Sequence, residues 1–321
     1  MDRSRRRSGH LTAIAATALG LIAAGPAAPP LKAMRWLAPG ADAARILTRR
    51  RAECLGASPG PGQAYSVELG RAAFRAPLIL GGQAARAGIS CDSCHQNGRT
   101  NPDFDFPGLS GAPGTADVTS FLFSSHRGDD DFDPRPIPDL GGPKGRLKIS
   151  QARGSRALES FIHGLVTEEF DGPEPPAAVL AGLADYVRAL SLAACPVDGA
   201  APLRVEASIG DVRRAVRAGQ AAWKRGDTAA AGIMVGAARS QLGVIAERYG
   251  GPRLGPARAG LKLADLDLVA VQAALRRGDG DSGLRLTTWL ARSEDWSAPL
   301  RRDERLSLYA PGVLAAATAA R

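Results

Sequence analysis

A mainly α-helical chain of two domains is the architecture this sequence predicts, and three observations carry the prediction. Segments around residues 66–74 and 176–192 repeat apolar side chains at helical spacing. Beyond about residue 200 the chain becomes rich in Ala, Arg and Leu and is broken twice by the same Arg-Gly-Asp punctuation. With 321 residues it has length for two domains on the usual prior of roughly 100–200 residues each. An apolar share of 45% is ordinary for a globular protein, so sizeable cores can form.

The N-terminal stretch comes first. Asp2-Arg3-Ser4-Arg5-Arg6-Arg7 is a basic opening, followed by an apolar run from Leu11 to Ala24. Small residues (Gly25, Ala27 and Ala28) then lead into Pro29-Pro30. A membrane-spanning helix needs roughly 20 apolar residues, and this run is shorter. Residues 1–28 therefore read as a signal peptide with Ala28 as its last residue, which predicts export to the periplasm. An uncleaved anchor is the alternative. No other stretch reads as apolar enough to span a membrane.

Four cysteines follow, and two stand in Cys91-Asp92-Ser93-Cys94-His95. Two thiols separated by two residues can add to the two vinyl groups of one haem, and the adjacent histidine then falls under the iron as proximal ligand. One covalent haem c is predicted, held by Cys91 and Cys94, with His95 on the iron. A thioredoxin-like dithiol is the competing reading, but it wants a βαβ context and leaves His95 without a role. The other pair, Cys54 and Cys195, flanks the whole motif, and spare cysteines in an oxidising compartment commonly form a disulfide. Two separate thiols are the alternative there.

Around the motif, Ser66–Phe74 reads as a short helix with Gly70 and Phe74 on one face. A second helix over 176–192 carries Val179, Leu180, Leu183, Tyr186, Val187 and Leu190. Gly70 against Tyr186 is the expected crossing pair of a cytochrome c-type fold over residues 29–198. Between the helices, Pro134–Pro143 reads as an extended, turn-rich connection.

Leu69-Gly70-Arg71, Phe74, the haem motif and Arg127-Gly128-Asp129 together resemble the bacterial di-haem cytochrome c peroxidase (MauG-like) superfamily over roughly residues 65–192. The resemblance implies a haem oxidoreductase. This chain departs from it in having a single Cys-x-x-Cys-His and no histidine in Phe106–Gly111, where a switchable distal ligand would stand.

A six-coordinate electron carrier needs a second axial ligand, usually Met or His. His126 and His163 are the candidate distal ligands, with Met34 and Met234 as further options and an open or water-bound position as the alternative. Whether the chain is an enzyme therefore turns on that position.

Residues 199–321 read as a basic α-helical domain. They hold 19 Lys and Arg against 12 Asp and Glu, a net +7, while residues 29–198 are nearly neutral. Trp223-Lys224-Arg225-Gly226-Asp227 and Arg276-Arg277-Gly278-Asp279 each set a C′ glycine beside a capping aspartate, the turn of a helical hairpin. Helices are expected over 206–225, 228–249, 261–277 and 281–292. The excess charge suggests docking on an acidic redox partner or an anionic membrane surface, and export disfavours nucleic acid. The expected function is an exported mono-haem cytochrome carrying out single-electron transfer. A MauG-type oxidoreductase with an open haem and a haem sensor are its rivals.

Overall fold

Residues 30–57, 60–144, 147–195 and 199–319 are described by a computed structural model, and the expected signal peptide at residues 1–28 lies outside them. Helices dominate these residues, as expected. In chain order they are α1 (Ala43–Leu47), α2 (Pro61–Ala73), α3 (Gly82–Ala87), α4 (Cys91–Cys94), α5 (Ala157–Gly164) and α6 (Ala177–Ala189), then α7 (Val205–Trp223), α8 (Thr228–Arg248), α9 (Gly255–Arg277), α10 (Ser282–Ala291), α11 (Ser293–Asp303) and α12 (Pro311–Ala319). The strands are minimal. β1 (Arg49–Arg51) pairs antiparallel with β4 (Ala200–Pro202), and β2 (Thr115–Ala116) with β3 (Arg135–Pro136).

Proline starts α2 at its first turn, where the missing N–H has no partner to lose. Its inner face is Val67, Leu69, Gly70, Ala72 and Ala73. That face meets Val179, Gly182, Leu183, Tyr186 and Val187 of α6. The two backbones touch where they cross. A Cβ on Gly70 would stand 1.8 Å from the carbonyl oxygen of Gly182, and a Cβ on Gly182 would stand 2.9 Å from the nitrogen of Gly70. The crossing pair is thus Gly70 with Gly182, which corrects the expected Gly70–Tyr186 contact. One turn further along, Tyr186 packs on Phe74 with ring centroids 5.0 Å apart. Two helices whose backbones touch can set no side chain between them, so the aromatic moves to the next layer.

After residue 199 the expected helices form with shifted ends. Gly226 takes a left-handed φ of 79° and Asp227 accepts a hydrogen bond from the Ala230 N–H at 2.8 Å, which turns α7 into α8. The second punctuation works differently. Gly278 is left-handed too, but Asp279 pairs with Arg277 at 2.7 Å, and α10 begins only at Ser282. Helix α9 starts at Gly255 because Pro256 opens it, six residues before the expected start. Helices α11 and α12 were not expected; α11 buries Trp296 and Leu300 despite an internal Pro299.

Helices α7 and α8 pack on α2, and one continuous buried core runs from Val67 to Tyr309. Contacts of α2 with α7 and α8 therefore cross the expected boundary near residue 198. By length and composition α8 is apolar enough to cross a membrane, which corrects the expectation that no later stretch would be. Half of it is buried against α7 and α9, the position of a core helix.

Candidate functional site

The site is built on α4, a single turn. Ser90 donates its N–H to Ser93 Oγ at 3.1 Å, the Asp92 N–H reaches the Phe74 carbonyl at 3.1 Å, and His95 closes the turn on the Cys91 carbonyl at 2.9 Å. One turn is what brings Cys91 and Cys94 together, three residues apart on a helix. The two thiols are not bonded to each other, and desolvation pushes both up to about 12. A redox dithiol needs a thiolate near neutrality, and these are held as neutral thiols.

His95 is fixed by a carbonyl. Its Nδ1 lies 3.0 Å from the oxygen of Pro138, and a carbonyl can only accept, so Nδ1 carries the proton and Nε2 keeps its lone pair. Burial pushes the imidazole down to about 4, with the Pro138 carbonyl and the carboxylates of Asp139 and Asp92 only partly offsetting it. At neutral pH the ring is therefore uncharged. Pro138 is held from both sides. Thr100 donates to the Ile137 carbonyl at 3.0 Å, the Leu140 N–H reaches Gly98 at 3.1 Å, and the buried Arg99 bonds Asp139 at 2.7 Å. Phe74 stands 6.5 Å from the His95 ring, centroid to centroid, and carries the α2–α6 contact to the motif.

Beneath α4 lies a charge network. Asp92 accepts from the Arg50 guanidinium at 2.7 Å and from the Asn97 N–H at 2.8 Å. Arg50 also bonds Asp211 of α7 at 3.0 Å, and Arg75 lies 3.7–3.8 Å from both aspartates. Asn97 turns the chain just after His95 with a φ of 54°, a conformation asparagine tolerates, and Arg75 holds its side-chain oxygen at 2.6 Å. Glu53 gathers Arg71, Arg75 at 2.8 Å and the Tyr186 hydroxyl at 2.8 Å. Burial alone would raise its carboxyl, but Arg75 and Arg71 hold it well below the usual carboxylate range.

Cys54 and Cys195 are joined in a disulfide, with Cα atoms 5.0 Å apart. The same two segments also pair through backbone, Ser191 to Cys54 at 2.8 Å and Gly56 to Ala189 at 2.9 Å. The candidate distal residues have other partners. His126 Nδ1 faces Asp171 at 3.0 Å and His163 Nε2 faces Glu174 at 2.8 Å. Met234 is fully buried in α8, its Cβ beside Gly219 of α7, and Met34 lies in a short 3-10 turn, Lys32–Trp36. Among the described residues no group of three or more His, Cys, Asp or Glu gathers as a metal-ion site. Two unbonded thiols and an adjacent imidazole are the donor set that a covalently attached haem would use.

Pro138, Glu53, Arg50 and Arg75 were not singled out from sequence. The extended Pro134–Pro143 run was the one signal near any of them. Compared with known proteins, the chain matches no family model, no curated protein and no solved structure.

Proposed function

We propose that this chain is an exported mono-haem c-type cytochrome passing single electrons between partners. Cys91 and Cys94 would carry haem c as thioethers and His95 would be its proximal ligand. The reading extends to architecture: a cytochrome c-type haem domain over 29–198, followed by a basic α-helical hairpin domain over 199–321. The observation that carries it is the His95 Nδ1 to Pro138 hydrogen bond beside two neutral thiols on one helical turn. It leaves Nε2 as an uncharged donor next to both thiols. When bound, haem supplies a one-electron iron couple. The chain's own part is to orient His95 through Pro138, to keep the imidazole neutral, and to fix α4 through Asp92 on Arg50. Localisation in the periplasm rests on residues 1–28. An acidic redox partner or an anionic membrane surface is the suggested docking target of the basic segment.

A second reading is a MauG-type peroxidase with an open distal position. It is favoured by the engagement of His163 with Glu174 and of Met234 with the α7–α8 core. The ferric spectrum of the full-length protein separates the two. We expect six-coordinate low-spin haem that ignores peroxide, cyanide and carbon monoxide, and that changes when His126→Ala or His163→Ala removes the distal ligand. High-spin haem that reacts rapidly with peroxide, and is untouched by either substitution, replaces the carrier with the enzyme.

A further inference from the structure

A cavity of about 410 Å³ lies between the motif turn and the C-terminal segment. Ser90, Asp92, Ser93 and Gln96 line it, while Cys91, Cys94 and His95 do not. The facing wall is α8, through Gln241, Val244, Glu247 and Arg248, and Trp36 and Leu78 add apolar surface. The volume falls in the range of small-molecule sites, roughly 300–1,000 Å³.

Its charge is unbalanced. Lys32, Arg49, Arg50, Arg75, Arg86 and Arg248 line it against only two carboxylates, Asp92 and Glu247. Both carboxylates are already committed, Asp92 to Arg50 at 2.7 Å and Glu247 to Lys32 at 3.2 Å. Arg49, Arg86 and Arg248 have no carboxylate within ion-pairing distance among the described residues. Arg248 is the telling one. It is 7% exposed and bonds only the carbonyls of Leu47 at 2.8 Å and Leu308 at 3.0 Å, lying over the Tyr309 ring. Carbonyls and a ring face orient a guanidinium but do not neutralise it, and a buried cation without a counter-ion is costly.

We infer that this cavity binds a small organic anion, with a carboxylate or phosphate head against Arg49, Arg86 and Arg248 and an apolar body against Trp36, Leu78 and Val244. Guanidinium forks suit either head group. The site is completed by α8, which gives the C-terminal segment a part in ligand binding that docking on a partner does not supply. It stands independently of whether haem is attached.

Calorimetric titration of the full-length protein with octanoate, octyl phosphate, octylamine and inorganic phosphate tests it. We expect one equivalent of octanoate or octyl phosphate to bind, whichever head group the site prefers, and octylamine not to bind. Arg49→Glu with Arg86→Glu should weaken binding at least tenfold, and so should Val244→Trp, which fills the cavity. All three positions are exposed, so these variants should fold, and Arg248→Gln, a third variant, should weaken binding as well. Octylamine binding as well as the anions, unchanged affinity in the variants, or no binding by either octyl anion would overturn the proposal. Inorganic phosphate binding as tightly as the octyl anions would overturn the apolar half of it.

Discussion

Glu53 ties its own segment to both α2 and α6. One buried carboxylate answers Arg71, Arg75 and Tyr186, which belong to α2, its C-terminal end and α6. Removing one partner of such a set costs up to about 3–5 kcal/mol, although Arg71 keeps Glu68 at 3.1 Å and Arg75 keeps Asp92 and Asp211 at 3.7–3.8 Å. Glu53→Gln should lower unfolding free energy by up to that amount in a urea titration; a loss below about 1 kcal/mol would mean the arginines find other partners. The proximal histidine makes a separate prediction. Its folded pKa, about 4, lies below the unfolded value near 6.5, so its neutral form supports the fold above pH 6.5, and that support is lost as pH falls towards 4. Haem-free protein should therefore weaken across that window, and His95→Gln should flatten the slope when stability is measured at pH 4 to 7. The five motif residues were legible because their chemistry is local. The partners of Glu53 and His95 were not, since Tyr186 and Pro138 lie 133 and 43 residues away.

At the scale of elements, the α2–α6 crossing is the most demanding contact. Gly70→Ala drives a Cβ into the Gly182 carbonyl, and no side-chain rotation relieves a clash of backbone on Cβ. Overpacking typically costs 1–3 kcal/mol, and about 3 or more is expected here. Gly232→Ala in α8 is the control. Nothing lies within 4 Å of its new methyl group, so it should stabilise by about 0.5–1 kcal/mol. A similar loss from both substitutions in thermal unfolding would contradict this account of the crossing. Helical period and punctuation revealed α2 and α6–α10 because their inner faces are apolar at regular spacing. They missed α11, where charged residues and Pro299 break the pattern and only Ser293, Trp296, Ser297 and Leu300 turn inward.

Across the whole molecule, the change of composition near residue 198 suggested a separable tail, and packing joins that tail to the motif. Asp211 of α7 reaches Arg50, and Arg50 reaches Asp92 inside the Cys-x-x-Cys-His sequence. Pairs inside the tail, Arg213 and Arg301 with Glu294 and Arg239 with Asp265, leave its net charge unchanged, while Arg214 spends one charge on Glu68 of α2. Charge counting could not reveal this, because it does not say which charges face each other. The disulfide lies within the first segment, where it ties the chain before α2 to the stretch after α6. Opening a loop of 141 residues by Cys54→Ala with Cys195→Ala should cost about 4–5 kcal/mol on the chain-entropy model. Equal urea midpoints for oxidised and reduced protein would argue against that bond as a support. The central claim remains covalent haem on α4. It is tested most directly by intact mass and denaturing-gel haem staining of the full-length protein, made in a host that attaches c-type haem. The account predicts a chain heavier by one haem, stained after denaturation, with both signals lost in Cys91→Ala with Cys94→Ala. A haem-free mass for the unmutated chain, made beside a control cytochrome that is fully loaded, would contradict it.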